Sequence, residues 1–374
     1  MNYFVVDVLL QKDEICNQTD LRAALWERVL LGKKLALIGR RNTGKTSIVR
    51  NDTLAQFSEK FSRGLAVYVD LMDVASEDDF SRRLQRAFEK GVSNVRPTRS
   101  FLDQVAKSLT SLRPSIRLDP HSGTPTIELG FGEKKPIHFA DLIEEIGRYH
   151  LKDRAVIVFD EFQDISFIKA LPAKLRRCLQ ELPADLSVVA SGSKAHILRG
   201  MFGHPKAAFA SWGEILEIKE IELDEYFAYA QDRFVACQLT ISKPAFHKIM
   251  QLMQGIPESI NIVCNRLCRT LSKGDVIDES KIFGALGQII DERQSIFRDR
   301  LRRYTEKEIH FLRAMAVSQP VSQPTKREFL ELTQASLGGV QAMIKRLENE
   351  GMIYRLEQGY VVDDSLLARF LIAN

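Results

Sequence analysis

Near the start of the chain, Ile38-Gly39-Arg40-Arg41-Asn42-Thr43-Gly44-Lys45-Thr46-Ser47 contains the spacing G-x-x-x-x-G-K-[ST]. Each residue type answers a demand of holding a polyphosphate. The backbone must turn its N–H groups inward around phosphate oxygens, which calls for glycine where the chain comes close or takes a positive φ. A helix opening at the lysine points its positive end at the phosphates. The Lys45 ammonium reaches the β- and γ-phosphates, and the Thr46 hydroxyl is a ligand for Mg²⁺. We therefore expect Gly39, Arg40, Arg41, Asn42, Thr43, Gly44, Lys45, Thr46 and Ser47 to form a nucleotide-binding loop, with ATP and Mg²⁺ as cofactors. Such a pattern arises by chance in roughly 1 in 100 chains of this length, so its neighbours must support it.

A second constellation does so. Ala155-Val156-Ile157-Val158-Phe159 is an apolar run ending in Asp160-Glu161, the signature of a buried parallel strand that delivers a carboxylate to the sheet's C-terminal edge. Asp160 is expected to hold Mg²⁺, directly or through water, and Glu161 to polarise the attacking water as general base. Gln163 can orient that water or the γ-phosphate. A further run, Leu186–Ala190, ends in Ser191-Gly192-Ser193-Lys194, where Ser191 and Ser193 are candidates to sense the γ-phosphate; Ser193 is the one we carry forward, with Lys45, Glu161 and Gln163, as catalytic.

These residues need a scaffold. From Leu35 to about Ile218, short apolar runs alternate with helical patterns, the mark of an α/β layer with a parallel sheet. Strands are expected at Leu35–Ile38, Leu65–Leu71, Ala155–Phe159 and Leu186–Ala190, with a weaker one at Ile215–Ile218. A long insertion, about 72–150, holds a helix at about 78–91 and a hairpin around Thr124–Phe131 with Gly130 and Gly132. From Glu220 onward the pattern is wholly helical: Asp224–Cys237, Lys243–Met253, Pro257–Leu271 and about 278–302. The last segment opens on two capping boxes, Thr305–Glu308 and Thr325–Glu328. Ser336 caps a third helix that ends at Gly351, and a hairpin of Met352–Leu356 and Tyr360–Val362 follows. Three helices and a wing describe a winged helix-turn-helix. The expected fold is thus α/β, a P-loop NTPase sheet of the additional-strand type, followed by an all-α lid and a winged helix. The domains expected are residues 1–219, 220–298 and 299–374.

Composition narrows the classes. At 374 residues, 45% hydrophobic and 27% charged, the chain reads as an ordinary globular protein of two or three domains. Its five cysteines (Cys16, Cys178, Cys237, Cys264, Cys268) are scattered and odd in number, which fits thiols in a reducing compartment better than a disulfide framework. Cys264 and Cys268 share a helix face, but no second Cys or His pair stands near to complete a metal site. The N-terminus lacks a basic start and a small-residue cleavage site, and no apolar stretch approaches the roughly 20 residues of a membrane span. A cytoplasmic protein is expected. A net charge of +4 permits a nucleic-acid partner without demanding one.

Together these motifs resemble the archaeal-type ATPases of the STAND branch of AAA+-like NTPases, a group also found in bacteria. The resemblance rests on Gly39–Ser47, Tyr68-Val69-Asp70-Leu71, Phe159-Asp160-Glu161-Phe162-Gln163, Ser191-Gly192-Ser193 and the terminal Tyr360-Val361-Val362-Asp363-Asp364, and it covers nearly the whole chain. It implies an ATPase core, a helical lid and a C-terminal winged helix. Two departures stand out. The family's opening Arg-Glu box is reduced to its apolar part at Phe4–Leu9. The Gly-Arg pair usual after the sensor strand is replaced by Trp212-Gly213-Glu214, so hydrolysis is expected to be slow or completed by a partner's arginine, with Arg199 the nearest substitute in this chain.

Three functions remain open at this stage. One is a nucleotide-dependent switch, in which ATP closes the lid and the winged helix moves with it. Another is a DNA-binding loader resembling origin-recognition or transposition ATPases. The third is a protein-docking adaptor with little hydrolysis; a kinase is disfavoured because the acidic pair suits water activation. The expected recognition helix offers Gln341 as its only side chain for base-edge readout. Lys326, Arg327, Lys345, Arg346 and Arg355 can grip phosphates, offset by Glu348, Glu350 and Glu357. Neither the choice between DNA and protein partners nor the oligomeric state is legible here.

Overall fold

The computed structural model describes residues 3–6, 8–16, 18–95, 113–118, 125–130 and 137–373. The chain divides into two compact units. One comprises Gln18–Gly39 and Lys45–Ile218; the other comprises Met1–Asn17, Arg40–Gly44 and Lys219–Asn374.

The first unit is built on a five-stranded parallel sheet of β1 (Lys34–Ile38), β2 (Leu65–Asp70), β3 (Ala155–Asp160), β4 (Ser187–Gly192) and β5 (Glu214–Glu217), in the spatial order β2-β3-β4-β1-β5. The alternation of apolar runs with helices thus gives the expected parallel topology. The unbroken apolar character of β3 has a simple cause: all six of its residues are buried, as a central strand covered on both faces requires. At one sheet edge, β2 alternates buried and half-buried positions and ends in the exposed Asp70; at the other, the β5 residues are not buried. That exposure explains why the Ile215–Ile218 signal was weak. β4 lies between β1 and β3, which is the additional strand. Its pairing aligns Ile38 with Gly192, while β2 pairs Asp70 with Asp160, so the chemically interesting residues emerge along one edge.

Helices Thr19–Leu30, Glu77–Asn94, Phe139–His150, Leu171–Gln180 and Ala195–Gly203 complete this unit. Ser76 opens the second of them by accepting the Asp79 N–H. Beneath the sheet's edge, Phe162, Phe202, Phe209 and Trp212 form an aromatic cluster, with centroids 5.1 Å apart for Phe162–Phe209 and 5.3 Å for Phe209–Trp212. It fastens the turn after β3, where the acidic pair sits. In the insertion, Arg113–Leu118 pairs antiparallel with Pro125–Gly130, a hairpin whose first arm lies upstream of the stretch expected; Thr124, Phe131 and Gly132 lie outside the described residues.

The second unit contains helices Leu223–Ala236, Lys243–Leu252, Pro257–Thr270 and Glu279–Leu301, followed by Glu306–Ser318, Arg327–Thr333 and Leu337–Asn349 and the hairpin Ile353–Leu356/Gly359–Val362. Phe4 is fully buried here, its ring 5.0 Å from that of Phe234, and Val5 accepts a hydrogen bond from Asn261 at 3.2 Å.

Four local expectations need correction. The capping box at Thr305–Glu308 is present, but Thr325 caps nothing: the Lys326 N–H closes a turn onto Gln323, so the helix starts at Arg327 with Lys326 as its N-cap. The region after Glu220 is not wholly helical, because Thr240–Ile241 pairs in parallel with Val276–Ile277; two-residue strands are too short to show a period. A last helix, Ser365–Ala373, follows the wing, opened by the Asp364 carboxylate, which accepts the N–H groups of Leu366 and Leu367 at 3.0 Å. Finally, Cys237 and Cys268 are joined as a disulfide, with Cα atoms 5.9 Å apart. Helix spacing had grouped Cys268 with Cys264, yet Cys264 faces the core, and Cys237 at the end of the neighbouring helix is the partner.

Candidate functional site

The site is assembled from the ends of β1, β3 and β4. After Ile38 the chain leaves the sheet, and the Gly39 N–H donates to Gly192 at 3.4 Å. Asn42 and Gly44 take φ of +62° and +88°. A Cβ on Gly44 would meet nothing within 4 Å, so glycine is favoured there by backbone conformation and not by crowding. From Lys45 the chain is helical, through Lys45–Ser47, a π-helical turn at Ile48–Thr53 and Leu54–Lys60. Lys45 is buried, and its ammonium donates to the Gly39 carbonyl at 2.9 Å, folding the cation back over its own loop.

Asp160 is 4% exposed. Its Oδ2 accepts from the Thr46 hydroxyl at 2.8 Å and from the Tyr68 hydroxyl at 2.6 Å, and its Oδ1 accepts the Glu161 N–H at 3.1 Å. Thr46 and Asp160, the two residues assigned to the metal, are thus in contact. Both present hard oxygen donors, and two protein oxygens with the remainder from phosphate and water suit Mg²⁺. Burial first, and then the negative charge of Asp160, holds the Tyr68 phenol far above its ordinary titration range, so it stays a donor.

Glu161 has a left-handed backbone, φ +50°, a conformation that is uncommon for a residue with a side chain and that concentrates at functional sites. Its Oε2 accepts from the Ser193 hydroxyl at 2.8 Å and from the Gln163 amide. Gln163 lies against Gly192, where a Cβ would fall 2.0 Å from its Oε1, so any larger residue there would displace the Gln163 amide. Of the two serine candidates, Ser193 touches the acidic residue, whereas the buried Ser191 hydroxyl has no hydrogen-bond partner among the described residues.

Not every residue of the loop is gathered here. Arg40, 6% exposed, belongs to the second unit and is bonded within it: Nε meets Asp363 Oδ1 at 3.3 Å, and Nη2 donates to Gln254 Oε1 at 2.9 Å and to the Asp363 carbonyl at 2.8 Å. The guanidinium also lies 5.4 Å from the centre of the Tyr354 ring. Arg199 is tied to Glu217 at 2.7 Å, and Glu214, where the resembled family has arginine, takes the Arg28 guanidinium at 2.7 Å. Sequence reasoning gave no role to Tyr68. The available signal was its place two residues before Asp70, on the strand face that Asp160 shares.

The sheet order and the helices with a C-terminal wing define the fold: an AAA+-like α/β layer followed by a helical region and a winged helix. Residues 295–373 match the family described as "Probable winged helix domain". Among solved structures, the chain resembles the Walker-type ATPase of Pyrococcus abyssi, at 16% identity and TM-score 0.67, over 99% of each chain. It also resembles the ORC2 protein of Aeropyrum pernix, solved in ADPNP–ADP complexes, at 13% identity and TM-score 0.57, over 98% of this chain and 95% of that one. No curated protein matches the sequence. Among the described residues no helix is long and apolar enough to cross a membrane.

Proposed function

We propose that the chain is an ATPase that works as a nucleotide-dependent switch, coupling ATP binding and hydrolysis to a partner held by its winged helix. The observation that carries this reading is the convergence of Lys45, Thr46, Asp160, Glu161 and Ser193 on one edge of the parallel sheet. Gly39–Ser47 wraps the phosphates with backbone N–H groups, and Lys45 turns from the Gly39 carbonyl to the phosphates. Thr46 and Asp160 hold Mg²⁺, which when bound neutralises charge on the phosphate oxygens. Glu161, oriented by Ser193 and Gln163, accepts the proton of the attacking water.

A single-turnover assay tests the reaction: release of free phosphate supports hydrolysis, and a labelled acceptor would mean a kinase. Lys45→Ala is expected to weaken ATP binding by about 10–100-fold, the loss of one charge-assisted hydrogen bond worth about 1.5–3 kcal/mol. Isothermal titration reads it, and an unchanged affinity would remove Lys45 from the site.

The switch has structural support in the second unit. Arg40, a residue of the phosphate-binding loop, is bonded to the wing's last residues and to Gln254. A loop that responds to the γ-phosphate therefore has a path to the winged helix, and the nucleotide supplies the differential contacts any such shift requires.

For the partner, the winged helix favours a phosphate backbone read with little base specificity. On helix Leu337–Asn349 the exposed face shows Leu337, Gly338, Gln341, Ala342 and Lys345. Arg346 is engaged by Glu308 and Glu350, and Arg327 by Glu331, so that of the five cations expected to grip phosphates, Lys326, Lys345 and Arg355 are exposed with no ion pair to an acid among the described residues. Three phosphate contacts predict a slope of about −3 in log affinity against log salt for duplex DNA. An affinity indifferent to salt would point to a protein partner on the Leu337–Ala342 face.

A further inference from the structure

We propose that Tyr68 is a positioning residue for the metal-bearing carboxylate, its hydroxyl setting the orientation in which Asp160 meets a divalent cation bound with the nucleotide. The inference rests on the ATPase reading above and adds to it a residue outside both phosphate-binding motifs.

The strand register makes the contact possible. β2 and β3 run parallel, with Tyr68 beside Val158 and Asp70 beside Asp160. Residues two apart on a strand share a face, about 6.6 Å apart. Tyr68 and Asp160 therefore lie on the same face, one pair of positions apart, and a phenol is long enough to close that gap. The result is the 2.6 Å bond to Asp160 Oδ2. The Arg50 guanidinium lies over the ring, 4.9 Å from its centre, and packs against its face.

Tyr68 is half-buried on an edge strand, where phenylalanine would pack as well, so the fold does not require the hydroxyl. Asp160 does. Its Oδ1 is anchored by the Glu161 N–H, while Oδ2 takes the two hydroxyls. The Thr46 oxygen can give a lone pair to a cation while its O–H still points to Oδ2, and the Tyr68 hydroxyl is the second donor that fixes that oxygen from outside the loop. Groups that orient a metal ligand from behind typically contribute 10–100-fold to metal affinity. Tyr68 differs in kind from Lys45: it acts on the ion and not on the nucleotide.

The test uses the full chain, wild type and Tyr68→Phe, with a fluorescent N-methylanthraniloyl ATP. Binding is measured first in EDTA and then across a Mg²⁺ titration, with Mn²⁺ occupancy followed by electron paramagnetic resonance. The expected result is equal affinity in EDTA and a Mg²⁺ midpoint raised about 10–100-fold in the variant, with a matching shift for Mn²⁺. A midpoint unchanged from wild type overturns the inference. So does a loss of EDTA-state binding in the variant, because a residue that merely holds the fold together would lower both. If the wild type itself bound nucleotide without any response to Mg²⁺, the ATPase reading would fail, and this inference with it.

Discussion

Glu161→Gln is expected to bind ATP as tightly as the wild type and to hydrolyse it about 10²–10⁴-fold more slowly, the range a positioned general base contributes. The geometry makes the substitution a clean one. The Glu161 side chain is held by the Ser193 hydroxyl and the Gln163 amide, and its backbone sits at φ +50°. Glutamine has the same length and still offers an oxygen to Ser193. What it lacks is the basicity to take a proton from water. Asp160 and Thr46 keep their mutual contact at 2.8 Å, so the pair proposed to hold the metal is untouched. Calorimetric binding with ATP and a single-turnover measurement of phosphate release separate the two effects. Hydrolysis at the wild-type rate would show that another group, or the γ-phosphate itself, takes the proton.

The second large effect is on stability. Arg40→Ala is expected to cost about 3–5 kcal/mol, because it strands a buried carboxylate. Arg40 and Asp363 are 6% and 8% exposed, and the guanidinium also serves Gln254 and the Asp363 carbonyl. Removing it leaves all three acceptors with less than they need in a site that water barely reaches. The double variant Arg40→Met with Asp363→Leu removes both charges and should recover much of the loss, since well-packed apolar pairs often replace buried ion pairs without penalty. Urea unfolding of Arg40→Met, Asp363→Leu and the double forms a cycle that isolates the pair. A cost below about 1 kcal/mol for Arg40→Ala, within the range of exposed pairs, would mean that Arg40 is not committed to the C-terminal unit in solution. The nucleotide-dependent switch would then lose its structural support.

Both predictions start from residues that could be picked out in the linear chain, but for different reasons. The Gly39–Ser47 and Asp160-Glu161 motifs are local: glycine conformation, a lysine at a helix start and an acid at the end of an apolar run are short-range constraints. So are the period of the helices after Glu220 and the capping box at Thr305. The buried strands are legible because a central parallel strand has no polar face. The edge strand at Glu214–Glu217 is faint because it is exposed, and the strands at Thr240–Ile241 and Val276–Ile277 are shorter than any period that could announce them.

What the chain pointed to by itself was therefore the kind of chemistry proposed for it, a phosphate-binding loop, a pair of oxygens for a metal and a carboxylate for water activation, together with the class of sheet that brings those residues out on one edge. Tertiary structure decided which side chains serve that chemistry. It gave Ser193 and not Ser191 to Glu161, placed Tyr68 behind Asp160, turned Arg40 away to Asp363 and paired Cys237 with Cys268. The physical reason is sequence separation. These partners lie between 31 and 323 residues apart, and no local propensity records a contact that only strand register and helix packing can create.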